Sequence, residues 1–344
     1  MLDLYDITRS QLGEWVASCA GSAVHAARVW RYLYREGVRE VAAMRELPAR
    51  LRERLARDAA PTTLVLADEV RSGDGLTQKY LLELADGRQV ETVLMRMRGR
   101  LTACLSSQVG CPLGCVFCAT GQMGFARNLT TGEIVAQALY VNSAGMDGLH
   151  RRESLRNIVL MGMGEPLLNY DAVVRAMEIL RDPGGLAIGS KQITLSTVGV
   201  VPGIIRLADE AQPCSLAVSL HAADQDERAA LVPAARTWPL DVLLDACRYY
   251  AARLGRRIFF EWTLIAGSND SARHAHALAR LVRDIPAQIN LIPLNPTLGY
   301  RGTPGRGEAV DRFRMILRDY GLPVSIRQRR GIEIAAGCGQ LAGG

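Results

Sequence analysis

No run of about 18 apolar residues occurs in the 344-residue chain, so no membrane-spanning helix is expected. The start, Met1 to Ser10, carries Asp3 and Asp6 and lacks the basic-then-apolar order of a signal peptide. Internal repeats and low-complexity tracts are missing as well, which argues against a solenoid or a disordered array. Neither sign of charge dominates. Lys and Arg number 41 against 35 Asp and Glu, a net +6 with pI near 9.0. That mild excess permits a nucleic-acid partner without requiring one. Cysteine is sparse at eight residues, too few and too unevenly placed for a disulfide framework. A reducing, cytoplasmic compartment and a metal centre are expected instead. The remainder, 49% hydrophobic and 22% charged, suffices for one large domain and a smaller one.

Residues 1–60 read as three short helices forming a small helical accessory domain. Ser22 can cap a helix whose apolar face is Val24, Ala27, Val29, Leu33 and Tyr34, and Gly37 can end it. The third helix, near Glu40 to Ala59, is arginine-rich and suits either a nucleic-acid contact or a docked bundle with a solvated basic face. From Thr62 the hydrophobic period changes. Thr63–Val70, Thr77–Leu84 and Gln89–Met97 read as strands joined by turns at Gly73-Asp74-Gly75 and Asp86-Gly87, a β-hairpin layer over 61–100. Six apolar runs then alternate with amphipathic helices. The runs are Leu101–Ser107, Asn157–Gly162, Gln192–Thr197, Ser215–Leu220, Ile258–Ile265 and Ile289–Pro293. This alternation implies an α/β fold, a partial (β/α)6 barrel over 101–300, with its site at the carboxyl ends of the strands. A helix near Arg306–Tyr320, a strand Pro323–Arg327 and a glycine-rich tail fill 301–344.

One stretch concentrates the chemistry. Cys111-Pro-Leu-Gly-Cys115-Val-Phe-Cys118 places three thiols in C-x3-C-x2-C spacing. A structural zinc needs four closed ligands, normally two close pairs, and no fourth local cysteine exists here. Three thiolates suit a 4Fe–4S cluster with one iron left open. The spacing, with Phe117 before the last cysteine, resembles the signature of radical S-adenosylmethionine (SAM) enzymes. Strand ends carry further signals: Gly162-Met163-Gly164-Glu165-Pro166, Ser196-Thr197, Ser219-Leu220-His221 and Asn295. Singly, each reads as a tight turn, a helix cap or a structural histidine. Their shared rim gives them weight.

The run Ser106-Ser107-Gln108-Val109-Gly110-Cys111, the triad, Met161 to Leu167, Ser219 to Ala222 and Cys338-Gly339-Gln340-Leu341 together resemble the RlmN/Cfr family of radical-SAM RNA adenosine methyltransferases. The likeness covers nearly the whole chain. It implies a radical-SAM barrel in which Cys111, Cys115 and Cys118 ligate the cluster. Gly164, Glu165, Ser196, Ser219, Leu220, His221 and Asn295 would contact SAM. Cys338 would be the methylated cysteine, Cys104 the second catalytic thiol and Glu91 the proton acceptor. Read without the family, Glu91 is a solvated strand charge, Cys104 a buried strand cysteine and Cys338 an idle tail residue. Cys19, Cys214 and Cys247 match no family site and are expected in the core.

The implied reaction methylates carbon 2 of an adenosine in 23S rRNA and possibly tRNA, with two SAM per turnover and a methyl-cysteine intermediate. The implied cofactors are a 4Fe–4S cluster and SAM. The expected partners are RNA and an electron donor such as flavodoxin or ferredoxin, with the protein a monomer and no membrane involved. Two rivals stand beside it: a Cfr-type carbon-8 methyltransferase, and a non-enzymatic iron–sulfur or zinc protein that binds RNA. Candidate RNA contacts are Arg96, Arg98, Arg100, Arg127, His150, Arg151, Arg152 and the run Arg327-Gln328-Arg329-Arg330. Two positions depart from the family. Ala234-Ala235 stand where isoleucine and asparagine are common, and Gly337 where alanine is usual. Both are expected near the RNA, with a bearing on substrate choice.

Overall fold

The computed structural model describes residues 1–19, 21–97, 99–146 and 154–343. Helix α1 (Arg9–Ser18) opens on a reciprocal cap, with the Gln11 N–H on Thr8 Oγ1 at 3.3 Å and the Thr8 N–H on Gln11 Oε1 at 2.9 Å. Helix α2 (Ala23–Tyr34) follows Ser22 as expected, but its buried stripe is Ala26, Val29, Trp30, Leu33 and Tyr34. Val29, Leu33 and Tyr34 lie on the expected face, while Val24 is exposed and Ala27 only half-buried. Trp30 and Tyr34 fix that phase, because they stack at 4.2 Å and carry the larger apolar area. The third helix, α3 (Ala49–Asp58), begins nine residues later than Glu40. Val41–Ala43 forms only a 3-10 turn, and Pro48 disfavours helix in the residue before it.

A ten-stranded sheet organises the rest. Its strands, in chain order, are β1 (Val65–Arg71), β2 (Thr77–Glu83), β3 (Gln89–Met97), β4 (Arg100–Cys104), β5 (Leu155–Leu160), β6 (Ile193–Thr197), β7 (Ser215–Ser219), β8 (Ile258–Leu264), β9 (Ala287–Pro293) and β10 (Val324–Ile326). Strands β1 to β4 pair antiparallel in sequence order, and β4 to β10 pair parallel in sequence order. The hairpin layer is therefore hydrogen-bonded into the edge of the open barrel. Fully buried Leu195, Leu216, Val218, Ile258, Phe260, Ile289 and Leu291 form the parallel core, as a doubly covered sheet demands.

After β4, α4 (Ala119–Met123) and α5 (Thr131–Met146) lead to β5. The crossings α6 (Tyr170–Arg181), α7 (Val201–Asp209), α8 (Gln225–Leu231) with α9 (Leu240–Leu254), α10 (Ala272–Leu281) and α11 (Gly307–Asp319) join the remaining strands. Helix α5 packs on one face of the hairpin layer. Tyr140 meets Tyr80 edge-on at 5.3 Å, and Thr92 Oγ1 donates to Gln137 Oε1 at 2.6 Å. Among the described residues no helix is long and apolar enough to cross a membrane.

Candidate active site

A cavity opens where the parallel strands end. Gly164, Glu165 and Pro166 line it after β5, Ser196 and Thr197 at the end of β6, and Ser219 and His221 after β7. Glu261 and Thr263 line it from β8, Asn295 from the loop after β9, Cys115 and Cys118 from the cysteine loop, and Cys338 from the tail. Shared placement at one rim, expected from sequence, is thus observed for most of these residues. Leu220 does not line it: its side chain is buried in the core, and its N–H and carbonyl bond Glu261 and Arg228. Cys104, Cys111 and Glu91 are also outside the lining.

The cysteine loop is held by backbone. The Cys111 N–H donates to the Gly124 carbonyl at 2.8 Å, and the Cys118 N–H to the Cys115 carbonyl at 3.1 Å. Phe117 meets the His221 ring edge-on at 4.9 Å. Burial and the neighbouring Cys118 push the Cys111 thiol up to about 12; burial also pushes Cys115 well above its ordinary range, with Cys118 and Cys111 adding to it. The three thiols therefore sit within electrostatic reach of one another, and the surroundings of Cys111 and Cys115 disfavour their free thiolates. Among the described residues no three His, Cys, Asp or Glu side chains stand close enough to hold a single metal ion. Three soft thiol donors with no fourth local cysteine fit an iron–sulfur cluster with one open iron better than a closed four-ligand zinc.

Two buried acceptors in the cavity wall have no protein partner: Asn295 Oδ1 and Glu261 Oε2. Unpaired buried polar atoms are costly, and both residues line a cavity that a polar ligand can fill. Glu165 is more committed. Its Oε1 accepts from the Leu167 N–H at 3.1 Å and its Oε2 from the Val198 N–H at 2.9 Å, while burial lifts its pKa to about 7. Gly164 has φ +96, and a Cβ there would stand 2.5 Å from Gln108 Cβ, so the backbone approach requires glycine. His221 is buried at φ +62, and burial drops its pKa to about 3. Its Nδ1 accepts from the Thr263 N–H at 3.0 Å, leaving a neutral ring with Nε2–H as donor.

Beneath the site lies Arg228, 1% exposed, whose Nε donates to the Leu220 carbonyl at 3.2 Å. It also caps the Val198 and Ser219 carbonyls, and burial lowers its pKa to about 10. Glu261 accepts from Asn290 Nδ2 and from Arg327 Nη2, each at 2.9 Å. Sequence reasoning singled out neither Glu261 nor Arg228. An acidic residue within the apolar run Ile-Phe-Phe-Glu-Trp was the available signal for the first.

The tail is stitched to the site. The Ala119 N–H donates to the Gly339 carbonyl at 2.7 Å, Asn295 Nδ2 to the Cys338 carbonyl at 3.0 Å and Gln340 Nε2 to the Pro296 carbonyl at 2.9 Å. All eight cysteines are free thiols. Cys338 is exposed by area, yet it sits in a concave mouth whose walls push its thiol up to about 11 against the pull of Arg327. Cys104, half-buried on β4, is raised to about 12 by burial and by Cys338 nearby. Cys214 and Cys247 are buried as expected, while Cys19 is only half-buried at the end of α1.

Of the expected RNA contacts, Arg98, His150, Arg151 and Arg152 lie outside the described residues. Arg127 is engaged internally, bidentate to Glu133 at 2.8 Å and paired with Asp86 at 2.7 Å. Arg330 donates to the Arg96 carbonyl at 3.1 Å, and Arg329 and Arg100 are exposed. Arg327, Arg329 and Arg330 line a second groove with Met95 and Met97 that meets the first cavity at Cys338. Ala234 and Ala235 are buried in a 3-10 turn beside Cys115 rather than in that groove. Gly337 does border it. A Cβ there would meet Asn295 Nδ2 at 2.7 Å, so glycine brings Asn295 close to the tail.

Comparison with known proteins agrees with this geometry. "Radical SAM superfamily" matches residues 105–279, and "Ribosomal RNA large subunit methyltransferase N-terminal domain" matches residues 2–60. A probable dual-specificity RNA methyltransferase RlmN 2 from Opitutus terrae is 59% identical, the alignment covering 99% of this chain and 86% of that protein. The dual-specificity RNA methyltransferase RlmN 1 of Myxococcus xanthus is 53% identical, covering 98% and 94%. A crystal structure of a radical SAM methyltransferase from Sphaerobacter thermophilus superposes with TM-score 0.95 at 44% identity over 100% of both chains.

Proposed function

Because the chain belongs to the RlmN family of radical-SAM RNA methyltransferases, we propose that it methylates carbon 2 of an adenosine in 23S rRNA and tRNA, through a methyl group carried on Cys338. The observation that carries this reading is the single cavity joining Cys115, Cys118, Glu165, His221 and Asn295 to Cys338. Cys111, Cys115 and Cys118 would hold the cluster. Glu165, His221 Nε2 and the unpaired Asn295 Oδ1 would orient SAM. A 4Fe–4S cluster, when bound, supplies the electron for reductive cleavage of SAM, drawn from a flavodoxin- or ferredoxin-class donor.

The remaining steps belong to the chain's own residues. Cys338, as thiolate, accepts a methyl group on sulfur from one SAM. A C–H bond of that methyl group would break with the hydrogen atom going to the 5′-carbon of the fragment left by a second SAM. The carbon joins the adenine ring, one electron leaving as the ring proton is removed. Glu91 takes the ring proton. Cys104 attacks the Cys338 sulfur, a disulfide forms, and the methylated base is released. Both thiols have raised pKa values, so each needs local activation before it reacts. The groove lined by Met97, Arg329 and Arg330 offers RNA a path to Cys338.

The test is Cys104→Ala. With release blocked and bond formation intact, this variant is expected to accumulate a protein–RNA adduct, seen as a shifted band that collapses on nuclease treatment. The band should vanish in the Cys104→Ala, Cys338→Ala double variant. Free methylated RNA at the parent rate without an adduct would falsify the two-cysteine mechanism. Mass spectrometry of the product nucleoside identifies the methylated carbon.

A further inference from the structure

The hairpin layer carries a charged pair that the thiol steps leave unused. In the ladder between β2 and β3, Lys79 pairs with Val93 and Leu81 with Glu91. Lys79 and Glu91 are therefore diagonal neighbours on one face of the sheet. Val93 in turn pairs with Cys104 on β4, so Cys104 shares that face. The opposite face, with Tyr80 and Thr92, is the one against α5.

Lys79 Nζ lies 2.7 Å from Glu91 Oε1, with side-chain exposures of 15% and 7%. At that depth either charge alone would be costly; together they offset each other. The other carboxylate oxygen, Oε2, accepts from the Ala342 N–H at 2.7 Å. The Glu91 backbone is fixed too. Its N–H points to Met163 Sδ at 3.3 Å, and its carbonyl accepts from Ser106 Oγ at 2.6 Å. Lys79 Nζ also reaches the Ala335 carbonyl at 3.4 Å. The groups facing Glu91 are thus Lys79 from β2, the tail amide of Ala342 and the Met163 thioether, with the Cys104 thiol from β4 on the same face.

We propose that Lys79 is the positioning residue for Glu91: it pairs with the carboxylate and fixes it on the face shared with Cys104, where it can accept a proton from the RNA base. This rests on the reading of Glu91 as proton acceptor. In the step concerned, a ring C–H bond breaks, an O–H bond forms on Glu91, and the bonding electron pair stays with the ring. Lys79 remains an ammonium throughout and neutralises Glu91 only while it is charged. Without Lys79, the buried carboxylate has lost its counter-charge, and desolvation works in favour of the neutral, already protonated group.

Lys79→Met and Lys79→Arg, reconstituted anaerobically, test the assignment. In Lys79→Met the acid limb of the single-turnover RNA methylation profile should move to higher pH, so that at low pH the rate falls about tenfold for every pH unit the limb moves. Lys79→Arg should restore the parent profile. Methylation of Cys338, read by mass of the tail peptide, precedes removal of the ring proton and does not use Glu91, so it should be unchanged. Infrared difference spectra with isotope-labelled glutamate should show a new protonated carboxyl in Lys79→Met that is lost when Glu91→Gln is added. A Lys79→Met profile superimposable on the parent, or a loss uniform across pH with Cys338 methylation falling in parallel, overturns the positioning role. If Glu91→Gln itself methylates RNA at the parent rate, the proton-acceptor reading falls and the inference with it. If Glu91→Gln is inactive while Lys79→Met keeps the parent profile, only the role of Lys79 falls.

Discussion

Glu165 shows how one buried carboxylate ties ligand binding to pH. Its pKa rises from 4.5 to about 7 because burial outweighs the Val198, Thr197 and Leu167 hydrogen bonds. A raised folded-state pKa means that the folded chain binds the proton more tightly than the unfolded one. The stabilisation is present below about 4.5 and is lost as pH climbs through about 7. A ligand ammonium beside it favours the ionised form. SAM binding below that upper value should therefore release a proton and tighten with pH, by on the order of tenfold per pH unit at most. Calorimetry in two buffers of different ionisation enthalpy measures the proton count, and Glu165→Gln should abolish it. Residues at this scale were unevenly legible. The cysteine triad announces itself by spacing, and Glu165 and His221 by their place at strand ends. Arg228 does not, because Asp-Gln-Asp-Glu-Arg has the composition of a solvated helix start while the fold turns its guanidinium onto three backbone carbonyls.

At the scale of elements, the loop before α4 depends on one close approach. Gly110 has φ +74, and a Cβ there would stand 2.0 Å from the Gly124 carbonyl, the acceptor for the Cys111 N–H. Gly110→Ala adds left-handed strain of roughly 1–2 kcal/mol to a clash with backbone that cannot yield. Iron content after reconstitution and Tm should both fall, while Gly73→Ala, which meets nothing within 4 Å, should keep both. Parent-level iron in Gly110→Ala would show that the loop adapts. The strands of the hairpin layer were legible from alternation and from Asp86-Gly87. Lys79 and Glu91 do not read as a pair, because cross-strand contact is non-local. The register of the same turn, with Glu83 opposite Gln89, places them diagonally once it is followed outward. The third helix starts later than its composition suggests, because Pro48 stands against an earlier start.

For the molecule as a whole, RNA engagement is expected to follow exposed, uncommitted charge. Arg329 is exposed beside the groove that reaches Cys338, whereas Arg127 is committed to Glu133 and Asp86. Arg329→Gln should weaken RNA binding and reduce the slope of log affinity against log salt by about 1. Arg127→Gln should leave that slope unchanged while lowering Tm. Filter binding across a salt series separates the two, and a slope loss in Arg127→Gln alone would reverse the assignment. The open barrel was legible from alternating runs and helices. That the hairpin layer continues the same sheet was not, since only the β3–β4 pairing joins them.

That continuity bears on how such chains can change length over evolutionary time. Lys79, Glu91 and Cys104 share a face only because side chains alternate with a strict period of two. Inserting or deleting one residue inside β3, ahead of Glu91, would turn Glu91 toward the face of Gln137 and leave Lys79 without its carboxylate. Two residues would restore the face but slide the ladder. The turns at Gly73-Asp74-Gly75 and Asp86-Gly87 can loop an added residue out while the strands keep their register. Natural gain and loss of residues in this layer should therefore gather at those turns and spare the strands between them.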